Sequence, residues 1–349
     1  MVKRKNLIKI VCGHEMKKWR NYMEKNKEGT EKAGKYSAMA RMTSRAEFSV
    51  LAGLILLIVC MSFASPFFLS VQNIFNVLSQ ISRYGIISVG MALIIITGGI
   101  DLSVGYAVGL CATSAAYLTT NVGLPWYLVL ILILGLGAVI GLSNGLLVTR
   151  VGLPAFIVTL AVGKIITGCT MLLTSGRPIA FDSPLSVLGS GYIGPVPMCV
   201  ILMFAVIVIG TIFAQYTQPG RAIYAIGNNA RAAALSGIKV KKMTCIVYVI
   251  QSMLCAFCGI VVAGNLYSAD ATLGTGYDID TIAAVVIGGV SMTGGEGTIW
   301  GALIGAAIMG ILKNAFVLLS VSSYWQSIVI GLVILFAVTI DRVRVNRRK

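Results

Sequence analysis

Residues 97–105 read Thr-Gly-Gly-Ile-Asp-Leu-Ser-Val-Gly, so that paired glycines and a carboxylate interrupt a long apolar run. The residues on both sides are mostly apolar, which places the interruption at membrane depth. A charged side chain at the centre of a membrane helix costs roughly 2.5–3.5 kcal/mol on insertion scales. Non-helical backbone at that depth is tolerated only where it is buried in protein or lines a wet cavity. The sequence therefore predicts an interrupted helix inside a membrane-embedded bundle.

The carboxylate of Asp101 has two interpretations. As the N-cap of the next helix, it would accept the backbone N–H of Ser103 or Val104 and complement the helix dipole. As a functional group, it would line a path across the membrane or couple a moving helix to the cytoplasm. The two roles are compatible.

A similar segment lies 190 residues further on, where residues 288–295 read Gly-Gly-Val-Ser-Met-Thr-Gly-Gly. Transporters are often built from internal repeats with interrupted helices at corresponding positions. The similarity fits either an internal repeat or chance. The predicted helix-break positions, which are also candidates for the path, are Gly98, Gly99, Asp101, Ser103, Gly105, Gly288 and Gly289.

The composition excludes a water-soluble globule. Hydrophobic residues make up 57% of the 349 residues and charged residues 11%, and the mean hydropathy is +0.89. At about 20 apolar residues per crossing, the chain predicts an all-α, polytopic transmembrane helix bundle of about ten spans. We place the spans near Phe48–Ala64, Ser79–Thr97, Gly105–Thr119, Trp126–Thr149, Leu153–Thr174, Pro197–Tyr216, Met243–Gly264, Thr281–Met292, Ile299–Leu318 and Tyr324–Ile340.

Small residues at four-residue spacing predict close packing between these helices, because lipid offers no hydrophobic drive for spans to associate. The spacing occurs in Gly137-x3-Gly141-x3-Gly145, in Gly105-x3-Gly109 and in Gly301-x3-Gly305.

The placement of charge predicts the orientation. With the N-terminus in the cytoplasm, 24 of the 28 Lys and Arg residues fall on the cytoplasmic side, as the positive-inside rule requires. The opposite side would hold Arg177 together with the carboxylates Asp182, Asp270, Asp278 and Asp280. We therefore predict a basic cytoplasmic tail over residues 1–46, a transmembrane permease domain over 47–341 and a basic cytoplasmic tail over 342–349. The net charge of +16 marks topology and not nucleic-acid binding.

No energy source is found in the chain. Residues 29–35 match the first seven places of a phosphate-binding loop, but Tyr36 stands where Mg²⁺ needs a Ser or Thr hydroxyl. The only histidine, His14, lies in the polar tail, so no Ser-His-Asp arrangement can form. The Cys255-x-x-Cys258 pair lies within a span and is interpreted as helix packing. We expect no enzyme activity and no cofactor or metal in this chain.

The loop over residues 217–242 has explicit helix-capping signals. An asparagine pair can begin a helix, an Ala-rich stretch continues it, and a glycine supplies the left-handed position after its end. So short a helix gains most by docking on another protein, although it could instead lie on its own bundle. The predicted docking positions are Gly227, Asn228, Asn229, Ala232, Ala233, Ser236 and Gly237.

These segments carry a family resemblance. The break at 98–105, the loop at 224–238 and the run from Gly274-Thr275-Gly276-Tyr277 to Gly289 resemble the permease subunits of ribose-type sugar importers. Those importers are ATP-binding-cassette transporters of the branched-chain amino acid and sugar permease superfamily. The likeness extends from about Phe67 to Asp341, including residues 152–160 and 322–326.

The resemblance implies a subunit that moves a ribose-like monosaccharide across the cell membrane by alternating access. It implies a second permease copy, a cytoplasmic ATPase subunit that holds ATP and Mg²⁺, and an extracytoplasmic sugar-binding protein. The 217–242 loop would be the coupling helix that docks on the ATPase. The alternatives are an ion-coupled secondary transporter using membrane charges such as Asp101, Arg83 or Lys164, a branched-chain amino acid permease and a scaffold protein.

Overall fold

A computed structural model describes residues 45–346, with side chains described over 48–339. Most of the predicted N-terminal tail, with His14 and the partial phosphate-loop match, lies outside the described residues. The chain divides into two units, residues 1–49 and 50–349. Only the first residues of one helix are described in the first unit, so the fold below is that of the second.

The described chain is mostly helical. The helices are α1 Arg45–Ala64, α2 Val71–Ile96, α3 Val104–Ala116, α4 Trp126–Leu146, α5 Ala155–Thr174, α6 Val187–Ser190, α7 Met198–Tyr216, α8 Gln218–Asn228, α9 Ala230–Leu235, α10 Val240–Leu266, α11 Tyr277–Ile287, α12 Ile299–Leu318 and α13 Ser323–Asn346. The π-helical turns Tyr117–Asn121 and Leu147–Val151 extend α3 and α4, and a 3₁₀ turn covers Pro184–Ser186.

Two short strand pairs of the described chain lie in segments between the long helices. The strand pairs are β1 Ile179–Ala180 with β4 Ser268–Ala269, and β2 Tyr192–Ile193 with β3 Val196–Pro197, both antiparallel. The first pair joins the segment after α5 to the segment after α10.

Helix α2 lies at the centre of the bundle. Its residues from Tyr84 to Ile96 are all buried, and they are apolar around most of the helix, as expected of a helix surrounded by protein. Helix α10 is the next most buried long helix and packs against α2, α3 and α4. The outer helices α4, α5 and α7 leave more of their apolar residues exposed, where lipid replaces protein as the apolar surrounding.

The predicted glycine packing of α4 is confirmed. A Cβ on Gly137, Gly141 or Gly145 would overlap the backbone of α10, so only glycine permits this approach. Gly301 and Gly305 of α12 likewise face the backbone of α11. Gly105 and Gly109 face the loop before α11 and not another helix.

Six helices in the described part are long and apolar enough to cross a membrane. They are Val71–Ile96, Trp126–Val151, Ala155–Thr174, Met198–Tyr216, Val240–Leu266 and Ile299–Leu318, and the shorter apolar helices Phe48–Ala64 and Ser323–Thr339 accompany them. Helices α3 and α11, which were predicted as spans, have 13 and 11 residues. At 1.5 Å per residue both are too short to cross a ~30 Å core alone.

Candidate coupling site

The first helix break follows α2. The N–H of Gly98 donates to the carbonyl of Ile95 at 2.8 Å and that of Gly99 to Ile94 at 3.0 Å, which closes the helix. Gly98 has φ +81°, the left-handed conformation that glycine adopts at no steric cost. The predicted break is therefore present, and a glycine makes it.

Asp101 holds the turn into α3. Its Oδ1 accepts the backbone N–H of Ser103 at 2.8 Å and the Ser103 hydroxyl at 2.6 Å. The predicted bond to Ser103 is confirmed, but the N-cap residue of α3 is Ser103 and not Asp101. The carboxylate is 1% exposed, and its Oδ2 has no hydrogen-bond partner. In this conformation Asp101 organises backbone and is sealed from solvent.

Three neighbouring helices fix this break in place. The side chain of Asn144 in α4 donates to the Ser103 hydroxyl at 2.9 Å. The N–H of Leu102 donates to the Thr159 hydroxyl in α5 at 3.0 Å. The phenol of Tyr248 in α10 donates to the Ile100 carbonyl at 3.3 Å. The interruption is hydrogen-bonded to three helices, and irregular backbone within a membrane bundle needs such partners.

The role of Asp101 can be separated from its charge. Asp101→Ala is expected to lower the free energy of unfolding by about 1 kcal/mol, because it removes an acceptor at a helix start. Asp101→Asn keeps an Oδ1 acceptor and is expected to retain wild-type stability, measured by thermal unfolding of the purified protein in detergent. Equal destabilisation by the two variants would contradict the role of Asp101 as a hydrogen-bond acceptor and show that the negative charge itself is needed.

The second break follows α11. The N–H of Gly289 donates to Val286 at 2.9 Å and that of Val290 to Val285 at 3.2 Å, and Gly289 has φ +89°. Gly288 has no room for a Cβ, which would overlap the backbone of Gly301 in α12. The chain then forms the loop 288–298 before α12 begins.

The two breaks meet. The N–H of Gly295, in the second loop, donates to the carbonyl of Ile96, the last residue of α2, at 2.8 Å. A Cβ on Gly294 would lie 3.1 Å from the backbone N of Gly98. Residues nearly 200 positions apart in sequence are therefore in direct backbone contact.

Helix α8, the first part of the 217–242 loop, packs on this meeting point. A Cβ on Gly227 would overlap both the Ile96 carbonyl and the Gly295 nitrogen. The side chain of Asn228 donates to the Gly295 carbonyl at 3.5 Å, and the Tyr224 hydroxyl to the Gly297 carbonyl at 3.0 Å. We name the contact of Ile96, Gly227 and Gly295 the junction.

Local sequence explains how α8 reaches the junction. The Thr217 hydroxyl caps α8 by accepting the Gly220 N–H at 3.1 Å. Gly220, Ile223 and Ile226 are its buried residues, and their three-residue spacing gives α8 one apolar face toward the bundle. Helix α8 therefore lies on its own bundle.

Helix α9 differs, because most of its surface is exposed. Asn229 caps it by accepting the Ala232 N–H at 3.0 Å, and Gly237 after its end has φ +85°, so both predicted capping positions are confirmed. The predicted helix is therefore α9, and α8, which precedes it, was not predicted. Ala233 is the buried residue of α9, whereas Leu235 is 86% exposed. The exposed residues among the predicted docking positions are Asn228, Asn229, Ala232, Ser236 and Gly237.

The structure does not bring all predicted break residues together. Gly98 lies next to the junction, close to Gly294, but Gly105 lies in α3, where a Cβ would overlap the carbonyl of Gly274. This close approach lets the non-helical residues 270–276 run alongside α3 before α11 begins. In that loop Asp270 accepts the N–H and hydroxyl of Thr272 at 2.7 and 2.6 Å, as Asp101 does with Ser103.

The position predicted for Asp280 from the charge pattern is wrong. The charge pattern places it in a loop on the non-cytoplasmic side, but the structure buries it in the first turn of α11, at 5% exposure. It forms an ion pair with Lys313 of α12. Lys313 also donates to the hydroxyl of Tyr84 in α2 at 2.8 Å. A lysine within a membrane helix indicates from sequence alone that a carboxylate partner is present. Which carboxylate it is can be known only from the three-dimensional structure.

No group of three or more His, Cys, Asp or Glu side chains among the described residues could hold a metal ion. Cys255 and Cys258 are both buried free thiols, and the Cys258 thiol donates to the Arg83 carbonyl at 3.6 Å. The described chemistry of the junction is that of packing and backbone hydrogen bonds, which suits the transmission of movement.

Comparison with known proteins agrees with this architecture. The chain is 42% identical to the ribose import permease protein of Haemophilus influenzae, over 82% of this chain and 90% of that protein. It is 41% identical to the ribose import permease protein of Bacillus subtilis, over 83% and 91%. It is 35% identical to the galactose/methyl galactoside import permease protein of Escherichia coli, over 88% and 97%. No solved structure matches it significantly.

The match to a family model covers residues 73–338, from the start of α2 well into α13. Together with its apolar helices of spanning length, these relatives identify a multi-pass protein of the cell membrane. The chain belongs to the family of branched-chain amino acid transport system permease components.

Proposed function

We propose that this chain is the membrane-spanning permease subunit of an ATP-driven importer of a simple sugar, a ribose-like monosaccharide. Ribose import permeases align with it over more than four fifths of its length, and a galactose import permease does so as well. The observation that supports the mechanism is the junction, where α8 contacts both the C-terminal end of α2 and the loop before α12.

The proposal assigns the driving force to a partner. An ATPase subunit docks on α9 and holds ATP and Mg²⁺, and this chain supplies no nucleotide site and binds no cofactor. The exposed Leu235 and alanine surface suits a groove on that partner. Neither catalysis nor metal chemistry is assigned to this chain.

The proposed movement follows from the contacts. A displacement of α9 by the ATPase is passed to α8 and, through Gly227, to Ile96 and Gly295. Because packed interfaces move as units and do not deform continuously, the helices on both sides of the two breaks shift together. The bundle then alternates between outward and inward openings. The moving helices end at the glycine pairs Gly98-Gly99 and Gly288-Gly289.

Two further partners complete the importer. A second permease copy, identical or related, forms the path with this one, and an extracytoplasmic sugar-binding protein delivers the sugar. Sugar specificity lies mainly with that binding protein, since a path that binds only weakly lets the sugar leave.

The proposed topology has about ten spans with both termini in the cytoplasm. The six long helices and two shorter apolar ones are joined by α3, extended by its π-helical turn, and by α11, extended by the loop alongside α3. The support is the charge distribution, with 24 of the 28 Lys and Arg on one side. The two breaks, each following a helix closed by a left-handed glycine, support an internal repeat.

The test is reconstitution in proteoliposomes with the proposed ATPase subunit and sugar-binding protein. Uptake of radiolabelled ribose is expected to require ATP and to persist when a protonophore and a sodium ionophore collapse the ion gradients. The matched control uses an ATPase whose phosphate-loop lysine is replaced by alanine, which should reduce uptake to background.

Uptake that persists without ATP and collapses with the ionophores would identify a secondary transporter and refute the proposal. Competition by leucine but not by ribose or galactose would identify a branched-chain amino acid permease. The proposed sugar class is supported if uptake depends on ATP and unlabelled ribose or galactose inhibits it by competition.

A further inference from the structure

A cavity of about 520 Å³ lies between the end of α4 and the start of α10, and the junction does not include it. Apolar side chains line most of it, among them Leu146, Ile246 and Ile250. Three cations stand at its polar end, Arg150, Lys241 and Lys242. Because α10 follows α9 directly, the cavity opens at the same end of the bundle as the coupling helices.

The three cations are uncompensated within the described chain. None of the residues lining the cavity is acidic. Where the structure describes side chains, the ion pair found is that of Lys313 with Asp280, which leaves Arg150, Lys241 and Lys242 without a carboxylate. Three exposed cations beside an apolar cavity favour an anionic ligand.

The apolar walls narrow the chemistry of that ligand. A free phosphate or an acidic peptide would contact the cations and leave the walls formed by Leu146, Ile246 and Ile250 unused. A phospholipid would use both, with its headgroup phosphate on the cations and an acyl chain along the walls. Basic pockets between membrane helices bind anionic headgroups for this reason.

We propose that the cavity between α4 and α10 is a binding site for an anionic phospholipid. Its headgroup lies against Arg150, Lys241 and Lys242, and an acyl chain lies along the apolar wall. The site lies between two helices whose backbones are in contact at Gly145 and Cys245. Bound lipid therefore stabilises the packing of the N-terminal part of α10 against α4.

The test is native mass spectrometry of the purified full-length protein titrated with phosphatidylglycerol or phosphatidylcholine. Phosphatidylglycerol is expected to bind more tightly. The triple variant Arg150→Gln, Lys241→Gln, Lys242→Gln is expected to weaken its binding roughly 100-fold, about fivefold for each cation. The control triple variant Arg221→Gln, Arg231→Gln, Lys239→Gln removes the same charge from residues that do not line the cavity and should bind like wild type.

A second variant tests the wall with the charges left in place. Ile246→Trp fills the cavity and is expected to weaken phosphatidylglycerol binding while glycerol phosphate, used as a soluble probe, binds only weakly to every variant. Equal binding of the two phospholipids would overturn the proposal, as would equal losses in the two triple variants. Glycerol phosphate binding as tightly as phosphatidylglycerol would overturn it too, because the apolar wall would then be unused.

Discussion

Replacing Gly227 with alanine is expected to reduce ATP-driven uptake to the background of vesicles without ATP. The added Cβ would overlap the carbonyl of Ile96 and the nitrogen of Gly295, which are backbone atoms and cannot rotate away. Helix α8 must then lift from both breaks, and movement of α9 no longer reaches α2 or α12. Alanine favours a helix over glycine by about 1 kcal/mol, so a loss of uptake cannot be ascribed to a weaker helix.

The measurement is ribose uptake and ATP hydrolysis in the same proteoliposomes. We expect hydrolysis to continue without transport, because the exposed surface of α9 is unchanged. The matched control is Gly135→Ala in α4, since a Cβ on Gly135 has no neighbour within 4 Å. Uptake by Gly227→Ala at the control's level would contradict the role of the junction, and a loss of both activities would show failed assembly with the ATPase.

The capping signals of the 217–242 loop were readable from sequence because capping is local. Asn229 bonds to an N–H three residues away, and the left-handed position of Gly237 depends on the helix it ends. The long helices were readable for a similar reason, since twenty apolar residues specify a span without reference to any neighbour.

The junction was not readable, because its contacts are made by backbone atoms. The bond from Gly295 to Ile96 involves no side-chain chemistry, and glycine at 227 signals only that something lies close. Helix α8 was not predicted either, because its position depends on the bundle, which buries Ile223 and Ile226. The sequence identified both breaks and the loop, but their meeting point is a property of the packed structure.

The partner of Lys313 was hidden for another reason. Asp280 lies beside turn-rich sequence that also holds Asp270 and Asp278, so hydropathy assigns all three to a loop. The approach of α11 to α12, permitted by glycine at 288, 301 and 305, carries Asp280 inside the bundle.

Replacing Lys313 with methionine is expected to cause the largest loss of stability among substitutions of charged residues in the described chain. Methionine keeps the length and apolar stem of the side chain, but Asp280 is then left as a buried carboxylate without its cation. Removing one partner of a buried ion pair typically costs about 3–5 kcal/mol. The Tyr84 hydroxyl, which lies 3.4 Å from the Asp280 carboxylate, can compensate only part of this.

The measurement is thermal unfolding in detergent of Lys313→Met, Asp280→Asn and the double variant. The double variant is expected to recover most of the loss, because it removes the buried carboxylate that the single variant leaves unpaired. Lys164→Met is the matched control, since Lys164 is an exposed lysine of α5 that lies 5.8 Å from the ring of Tyr106 and forms no ion pair with a described carboxylate. Strictly additive losses in the double variant would show that Lys313 and Asp280 stabilise the bundle independently.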